Sequence, residues 1–523
     1  MRKMAWKPWR HIFWCDGGVN VGRRLITGAA AAAATTPDAA ASLLRVCVVG
    51  SGPAGFYTAE KVLRRFAKAK VDIVERLPTP FGLVRSGVAP DHPETKVVTN
   101  QFSRVAVSGR CSFFGNVRLG MDVSLDELRK LYHVVVLAYG AESDRNLKIP
   151  GEDLAGVHSA REFVWWYNGH PDAANLQVDL KSTDTVVILG QGNVALDAAR
   201  ILLRPTSELA STDIAEHALA ALHESCIRRV FLVGRRGPVQ AACTAKEVRE
   251  ILGVQGLGVR VHPQDLITSP QDLEEMKKSR SHKRVYELFS KAARVEPVTS
   301  FETGGRELSF VFFRNPTAFL PSQDGSRVAG VHLEKTILQG EQGSVQRALG
   351  TGQFEDLPCG MVLKSIGYKS LSVPGLSFDD YQGRVPNAKG RVLRSGQGTE
   401  GTTIENGLYV VGWLKRGPSG IIGTNLVDAE ETIDSIAEDE SGGLLTNSAA
   451  PSQTSVGSDG LETLLKSRGI PSVSFGEWLK VDATEVALGN QRGKPREKII
   501  SKDDMLNIAK HVNSSSQTEG IQE

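Results

Sequence analysis

The 523-residue sequence predicts an α/β protein with two parallel-sheet domains, the second inserted into the first. An apolar run breaks into glycines and then into a helix-forming stretch in RVCVVGSGPAG (45–55), and the same pattern returns in VVILGQGNVALD (186–197). Buried-strand patterns stand on both sides of this second unit, in YHVVVLAYGAE (132–142) and GLYVVGW (407–413). We therefore predict that the second unit, with its helix at 193–203, is an insertion.

Length and composition set the limits of this prediction. A single core stops growing near 250–300 residues, roughly, so the chain has room for two or three domains. The net charge of +3 argues against nucleic acid as the partner, and any basic site must be a local patch. Six scattered cysteines without a CxxC pair argue against a disulfide framework, a metal site or a dithiol redox pair.

Residues 1–44 differ from the rest of the chain. Six lysines and arginines stand against two acids, and an alanine run follows. This composition is typical of a mitochondrial or plastid transit peptide, and the alternative is a disordered tail. The alanine run is short, weakly apolar and interrupted by Pro37 and Asp38, so we do not expect a membrane span.

The first glycine turn, GSGPAG, has the spacing of a dinucleotide-binding turn. Gly50 permits the tight turn, Gly52 lets the backbone approach a pyrophosphate, and Gly55 lets the helix pack closely on the strand. Glu75 ends the next strand, where a carboxylate can accept the hydroxyls of an adenosine ribose. We predict that this turn binds FAD, and the alternative is a glycine turn beside an exposed glutamate.

The second turn, GQGNVA, retains Gly190 and Gly192 but has Ala195 in place of the third glycine. This variant is often found where the cofactor carries a 2′-phosphate. The next strand ends in Arg235 and Arg236, whose guanidinium groups can form bidentate hydrogen bonds with phosphate. We predict that this turn binds NADPH in preference to NADH, and the alternative is a solvated surface pair.

These residues resemble those of the adrenodoxin reductases, the mitochondrial NADPH:ferredoxin oxidoreductases. The resemblance covers nearly the whole chain after the leader and rests on segments in the same order: VVGSGPAGFYTAE, PFGLVRSGVAPDHPETK, GQGNVALDAARILL, VGRRGPVQ, LPCGMVLKSIGYKS, GWLKRGPSGIIGTN and GKPREK. It implies two Rossmann-like dinucleotide-binding domains, with an NADP domain inserted into a discontinuous FAD domain. It also implies electron transfer from NADPH through FAD to a [2Fe–2S] ferredoxin in the mitochondrial matrix.

The same resemblance implies which residues touch the cofactors. For FAD these are, with the three glycines of the first turn, Ala54, Glu75, Leu83, Leu119, Trp413, Gly420, Ile421 and Ile422. For NADP they are Gln191, Gly192, Asn193, Val194, Arg235, Arg236, Glu247 and Gly420. Leu119 departs conservatively from the valine usual in the family.

The resemblance further implies a polar pair, His92 and Asp197, near the flavin and the nicotinamide. We expect this pair to tune polarity or protonation, and the alternative is two ordinary hydrogen-bonded residues that shape the pocket. The helix start after GPSGIIG is a candidate for stabilising negative charge on the reduced flavin.

The partner implied by the resemblance is an acidic ferredoxin, and the densest basic run is KKSRSHKR (277–284). Arg280 and Arg284 are four positions apart and share a helix face, which makes them the best candidates for docking. The alternative is a merely solvated helix. We also expect a monomer with at most peripheral membrane association.

The predicted domain limits are 1–44 for the leader, 45–145 and 365–523 for the FAD domain, and 146–364 for the NADP domain, with a loop at about 437–460. Three alternatives remain open. A pyridine nucleotide–disulfide reductase would need a dithiol near the flavin. A glutamate-synthase-type electron-transfer subunit would usually add cysteine-rich segments. A non-catalytic NADPH-binding module would keep the fold without the reaction.

Overall fold

The computed structural model describes residues 43–294, 305–340, 346–394, 403–445 and 457–511. The predicted leader lies outside the described residues, apart from its last two positions. Within the described ranges, no helix combines the length and the apolar character needed to cross a membrane.

The secondary structure alternates strands and helices in chain order. The strands are β1 Arg45–Val49, β2 Lys70–Val74, β3 Cys111–Phe114, β4 Val134–Leu137, β5 Ser143–Asp144, β6 Val157–Ser159, β7 Thr185–Leu189, β8 Arg229–Val233, β9 Leu257–Val261, β10 Arg306–Val311, β11 Arg314–Pro321, β12 Val328–Gln339, β13 Arg347–Pro358, β14 Met361–Lys364, β15 Tyr368–Lys369, β16 Asn387–Ala388, β17 Arg391–Arg394 and β18 Thr403–Val410. The helices are α1 Pro53–Arg65, α2 Leu83–Ser86, α3 Pro93–Lys96, α4 Thr99–Ala106, α5 Leu125–Leu131, α6 Ala160–Tyr167, α7 Asn193–Leu203, α8 Thr206–Leu209, α9 Glu216–His223, α10 Ala245–Leu252, α11 Pro270–Lys278, α12 Arg280–Ala292, α13 Trp413–Arg416, α14 Thr424–Ser441, α15 Ser458–Ser467, α16 Phe475–Gln491 and α17 Lys502–Lys510.

The first sheet has seven strands in the order β16-β17-β18-β4-β1-β2-β3. The five strands from β18 to β3 are parallel, and the two remaining strands join antiparallel at one edge. β1 and β4 are continuous apolar runs because both faces of the sheet are covered. Since β4 pairs with β18, the sheet is assembled from two distant parts of the chain.

The second sheet has six parallel strands in the order β6-β14-β7-β8-β10-β9. All of them lie between β4 and β18 in the chain, which confirms the predicted α/β fold with one domain inserted into the other. Where the chain enters and leaves the insertion, β5 and β15 pair as a short antiparallel ribbon. The numerical domain limits stay a prediction.

A three-stranded antiparallel sheet, β11-β12-β13, covers one face of the six-stranded sheet. Phe319, Val331 and Leu333 of this small sheet pack in one core cluster with Val187 and Leu189 of β7. The other face of β7 packs against α6 and α7. The six-stranded sheet is therefore buried on both sides, as a parallel sheet requires.

The loop predicted at about 437–460 is wrong at both ends. Helix α14 continues through Ser441, and α15 begins at Ser458, while residues 446–456 lie outside the described ranges. The reason is a tertiary anchor in the last turn of α14. Asp439 accepts a hydrogen bond from the Tyr409 hydroxyl at 2.6 Å and two from the Arg391 guanidinium, each at 2.9 Å.

Candidate functional site

A cavity of about 360 Å³ lies at the carboxyl ends of β1, β2 and β4, where ligands bind in open parallel sheets. Seven of the residues predicted to contact FAD line it: Gly50, Gly52, Ala54, Glu75, Leu83, Leu119 and Trp413. Gly55 lies beneath the turn and outside the lining. Gly420, Ile421 and Ile422 are also outside the lining, but Asn425, which follows them in the first turn of α14, is part of it.

The first glycine turn leaves room for a group that approaches the backbone. Gly50 has φ 108°, which disfavours a side chain, and a Cβ on Gly55 would lie 1.9 Å from the Gly50 carbonyl oxygen. A Cβ on Gly52 would instead meet nothing within 4 Å. Because Gly52 is the N-cap of α1, this open space faces the N–H groups of the helix start, and the turn fits a pyrophosphate.

Glu75 is held at the end of β2 by its neighbours. Its Oε2 accepts hydrogen bonds from the Ser51 amide at 3.0 Å and the Ser51 hydroxyl at 2.7 Å, and its Oε1 accepts one from the Leu77 amide at 3.1 Å. A carboxylate has about four acceptor positions, so one remains on Oε1 for a ribose hydroxyl. The residues present therefore fit the adenosine half of FAD.

Several cavity residues were not found from the sequence. Arg161 and Trp165 reach the cavity from α6, and Tyr139 and Tyr368 line it as well. The Arg161 guanidinium lies 4.1 Å from the centre of the Trp165 ring. Tyr139 follows β4 at the carboxyl edge of the sheet, and that position was a usable signal, whereas the α6 residues belong to no recognisable motif.

The second glycine turn repeats the geometry of the first. Gly190 has φ 126°, and a Cβ there would lie 2.2 Å from the Ser365 carbonyl oxygen, while Gly192 faces open space. Ala195, in the third position, is fully buried in the core beneath the turn. The Gln191 side chain points into the sheet and donates a hydrogen bond to the Leu232 carbonyl at 3.2 Å. A ligand at the turn would therefore meet the backbone of Gln191 and not its side chain.

Arg235 and Arg236 follow β8 at the same edge as this turn. Arg235 is exposed and Arg236 is half-buried, and no carboxylate of the described chain lies within ion-pair distance of either guanidinium. Burial and the neighbouring Arg235 charge lower the pKa of Arg236. Two adjacent cations without a partner form a site for an anion, as the 2′-phosphate prediction requires.

The remaining predicted NADP contacts lie close to the second turn. Asn193 and Val194 begin α7, and the Asn193 side-chain oxygen accepts a hydrogen bond from the Thr244 amide at 2.8 Å. That bond joins α7 to the start of α10, which carries Glu247. The turn, the two helix starts and the arginines thus occupy one side of the six-stranded sheet.

His92 and Asp197 lie in one cluster of charged side chains but make no direct hydrogen bond. The His92 Nε2 atom is 2.8 Å from a Glu250 carboxylate oxygen and 4.0 Å from Glu247. Asp197 accepts a hydrogen bond from Arg200 at 2.8 Å. Burial raises the pKa of Asp197, and burial together with the Asp197 charge raises the pKa of Glu247.

The two arginines predicted to dock a partner are exposed on α12. Neither Arg280 nor Arg284 has an ion-pair partner in the described part of the chain. Two of the nearby basic residues do have acidic partners, since Lys277 pairs with Glu274 at 2.7 Å and His282 hydrogen-bonds to Glu275 at 2.8 Å. The free positive charge of this helix is thus available to an acidic surface.

Two nucleotide-binding turns on two parallel sheets define a class of oxidoreductase with two dinucleotide-binding domains. Residues 44–278 match the family model described as pyridine nucleotide-disulphide oxidoreductase. The five cysteines of the described ranges are free thiols, and none of them lines the cavity. The fold is therefore that of the class, without a dithiol at the flavin site among the described residues.

Whole-chain comparisons narrow the class. The chain is 62% identical over 467 residues to the Arabidopsis thaliana NADPH:adrenodoxin oxidoreductase, mitochondrial, covering 89% of this chain and 95% of that protein. It is 48% identical over 472 residues to the Homo sapiens protein of the same name, covering 89% and 92%. The structure of Mycobacterium tuberculosis FprA in complex with NADPH aligns with TM-score 0.80 and 38% identity, covering 90% of this chain and all of that one. The chain belongs to the NADPH:adrenodoxin oxidoreductase family, which confirms the resemblance.

The glycine turn provides a matched pair of substitutions. Gly55→Ala should destabilise the protein by about 1–3 kcal/mol, because its methyl group collides with the Gly50 carbonyl. Gly52→Ala should change stability by less than about 0.5 kcal/mol but weaken flavin retention, because its methyl group enters the space for the pyrophosphate. Thermal unfolding of the flavin-free variants measures stability without the contribution of bound ligand, and the flavin-to-protein ratio measures retention. Equal losses of stability in both variants would contradict the assigned geometry.

Proposed function

We propose that this protein is an FAD-containing NADPH:ferredoxin reductase. The observation that carries the proposal is the pair of nucleotide turns with opposite chemistry at the end of the following strand. Glu75 offers a carboxylate acceptor to a ribose, whereas Arg235 and Arg236, which have no ion-pair partner in the described ranges, offer positive charge to a phosphate. One chain thereby holds a flavin nucleotide and a phosphorylated nicotinamide nucleotide.

When bound, FAD would supply the chemistry that links two-electron hydride transfer from NADPH to single-electron transfer to a ferredoxin. The protein binds, orients and shields the rings. The start of α1 and Glu75 hold the adenosine half, and Trp413 and Tyr368 line the other part of the cavity with ring centres 5.5 Å apart. Helix α14 begins beside Asn425, so its positive end can stabilise negative charge nearby.

His92, Asp197 and Glu247 form the polar surroundings of the nicotinamide in this proposal. The carboxylates of Asp197 and Glu247 lie within a network of charged partners. Burial raises the pKa of both groups and so favours their protonated forms. The cluster tunes polarity beside the rings and does not supply a nucleophile. Residues 45–145 and 365–523 form the FAD domain, and residues 146–364 form the NADP domain.

The partner in this proposal is an acidic [2Fe–2S] ferredoxin that docks on α12. The free positive charges of Arg280 and Arg284 support this assignment, as do the relatives named adrenodoxin oxidoreductases. The protein acts as a monomer in the mitochondrial matrix, after removal of the leader, with at most peripheral membrane contact. The acid-poor composition of residues 1–44 and the mitochondrial names of the relatives support this location.

The proposal is tested with the purified protein. We expect it to be yellow, to be bleached by NADPH under anaerobic conditions, and to regain its colour when a [2Fe–2S] ferredoxin is mixed in. Rapid-mixing absorbance measures both steps. A colourless protein would contradict the assignment as a flavoenzyme. Bleaching by NADPH without electron transfer to any ferredoxin would contradict only the assignment of the partner.

The Arg235→Ala, Arg236→Ala double variant tests nucleotide choice. Its KM for NADPH should rise by about 100-fold or more, because both arginines lose charge-assisted contacts to the 2′-phosphate, at about 1.5–3 kcal/mol for each hydrogen bond to a charged group. Its KM for NADH should change by less than about threefold, since that nucleotide lacks the phosphate. Steady-state dye reduction with each nucleotide gives both values, and unchanged discrimination would exclude the assigned role.

The Arg280→Glu, Arg284→Glu double variant tests docking. Ferredoxin reduction should slow by about 10-fold or more at low ionic strength, because charge steering is reversed. Ferricyanide reduction should not change, since a small dye needs no docking surface. Parallel assays with both acceptors separate the two effects. Equal loss with both would show that the substitutions damage the fold and not a docking site.

A further inference from the structure

Segment 91–96, DHPETK, lies in the chain between β2 and β3 of the seven-stranded sheet but pairs with the other domain. Each of its four ionisable side chains has a partner there. Asp91 pairs with Arg200 and Arg204, His92 with Glu250, Glu94 with Lys246, and Lys96 with Asp213. Acidic and basic groups alternate along the segment. If the segment slid along the other domain by one charged residue, like charges would come together.

The central pair of this segment is buried. The side chains of Asp91 and Arg200 are 5% and 0% exposed. Arg200 donates from Nε to one Asp91 oxygen at 2.6 Å and from Nη2 to the other at 3.0 Å, and Arg204 adds a bond at 2.7 Å. Burial alone would raise the pKa of Asp91, but the hydrogen bonds and the positive charge of Arg200 lower this pKa. A buried bidentate pair of this kind holds two elements in one geometry.

Arg200 connects this contact to the second nucleotide turn. It lies on α7, whose first residue, Asn193, follows the glycine turn directly, so one rigid helix of about 10 Å joins the turn to the pair. The same guanidinium bonds to Asp197 and brings Nη1 to 3.6 Å from a Glu247 oxygen. In the described part of the chain, neither Arg200 Nη1 nor Glu247 Oε2 has a hydrogen-bond partner.

We propose that segment 91–96 is an interdomain latch that sets the position of the second nucleotide turn over the flavin site, with Arg200 as its positioning residue. Arg200 does not touch the reacting atoms in this proposal. It acts by fixing α7 against the flavin domain and by holding Asp197 and Glu247 in place. The consequence for hydride transfer rests on the proposed function, whereas the latch itself is a property of the protein without NADPH.

The test uses the flavin-loaded protein with Arg200→Lys. Lysine keeps the charge but cannot bond to both Asp91 oxygens and Asp197 through a planar fork. We expect unchanged flavin content, at least fivefold faster hydrogen exchange in segment 91–96 and in the first turns of α7, and a smaller change in the flavin spectrum on NADP⁺ addition. Flavin reduction by NADPH should slow by about 10- to 100-fold, the effect of misplacing one reactant by about 1 Å.

Arg391→Lys is the matched control. Arg391 makes a similar bidentate bond to Asp439, but both residues belong to the seven-stranded-sheet domain. We expect it to lower thermal stability without altering exchange in segment 91–96 or the NADP⁺-induced spectrum. If Arg200→Lys behaves like this control, the latch is excluded.

Asp91→Asn provides a second route if Arg200→Lys does not fold, because it is nearly isosteric. It should reproduce the same exchange and spectral changes, and the effect in the double variant should be clearly less than the sum of the two single effects, since both substitutions break the same Asp91–Arg200 pair. Additive effects would overturn the proposal. If the unsubstituted protein does not oxidise NADPH, the proposed function is contradicted. The latch can still be tested in that case, because hydrogen exchange does not depend on NADPH oxidation.

Discussion

Hydride transfer occurs only between rings that lie in contact, at roughly 3–3.5 Å, and this constraint governs how the two sheets of the chain are joined. Two independently folded sheets linked by one flexible strand would not hold that distance. Here the inserted domain is attached at two crossings that pair as β5 and β15. Helix α6 also extends Arg161 and Trp165 into the cavity of the other domain.

In the proposed function, cofactor choice resides at the two nucleotide turns. Their backbones follow the same path, with a positive φ at Gly50 and at Gly190 and an open space at the glycine two residues further on. The missing third glycine contributes little by itself, because the Ala195 methyl group is accommodated in the core. The difference lies in the residues that follow the next strand: an acceptor at Glu75, and at 235–236 two arginines without an ion-pair partner among the described residues.

Features with a local cause could be predicted from the sequence. The turns, the inserted sheet and helix 193–203 follow from periodicity and glycine spacing, and α7 has those same limits. The end of α14 could not be predicted, because its polar last turn is stabilised by Arg391 and Tyr409 from other strands. His92 and Asp197 were expected as a pair, whereas His92 bonds to Glu250 of the distant helix α10 and Asp197 bonds to Arg200 of its own helix.

The insertion also determines the order in which the protein can be built. All strands of the six-stranded sheet lie between Val157 and Lys364. β4, by contrast, pairs with a strand that is synthesised much later, β18, in which Val410 lies opposite Leu137. During synthesis from the N-terminus, the inserted domain is complete while the sheet that surrounds it still has an open edge along β4. An apolar strand without its neighbour is prone to pair with other chains. The same insertion that brings two cofactors together therefore leaves the nascent chain exposed to aggregation until β18 has been made.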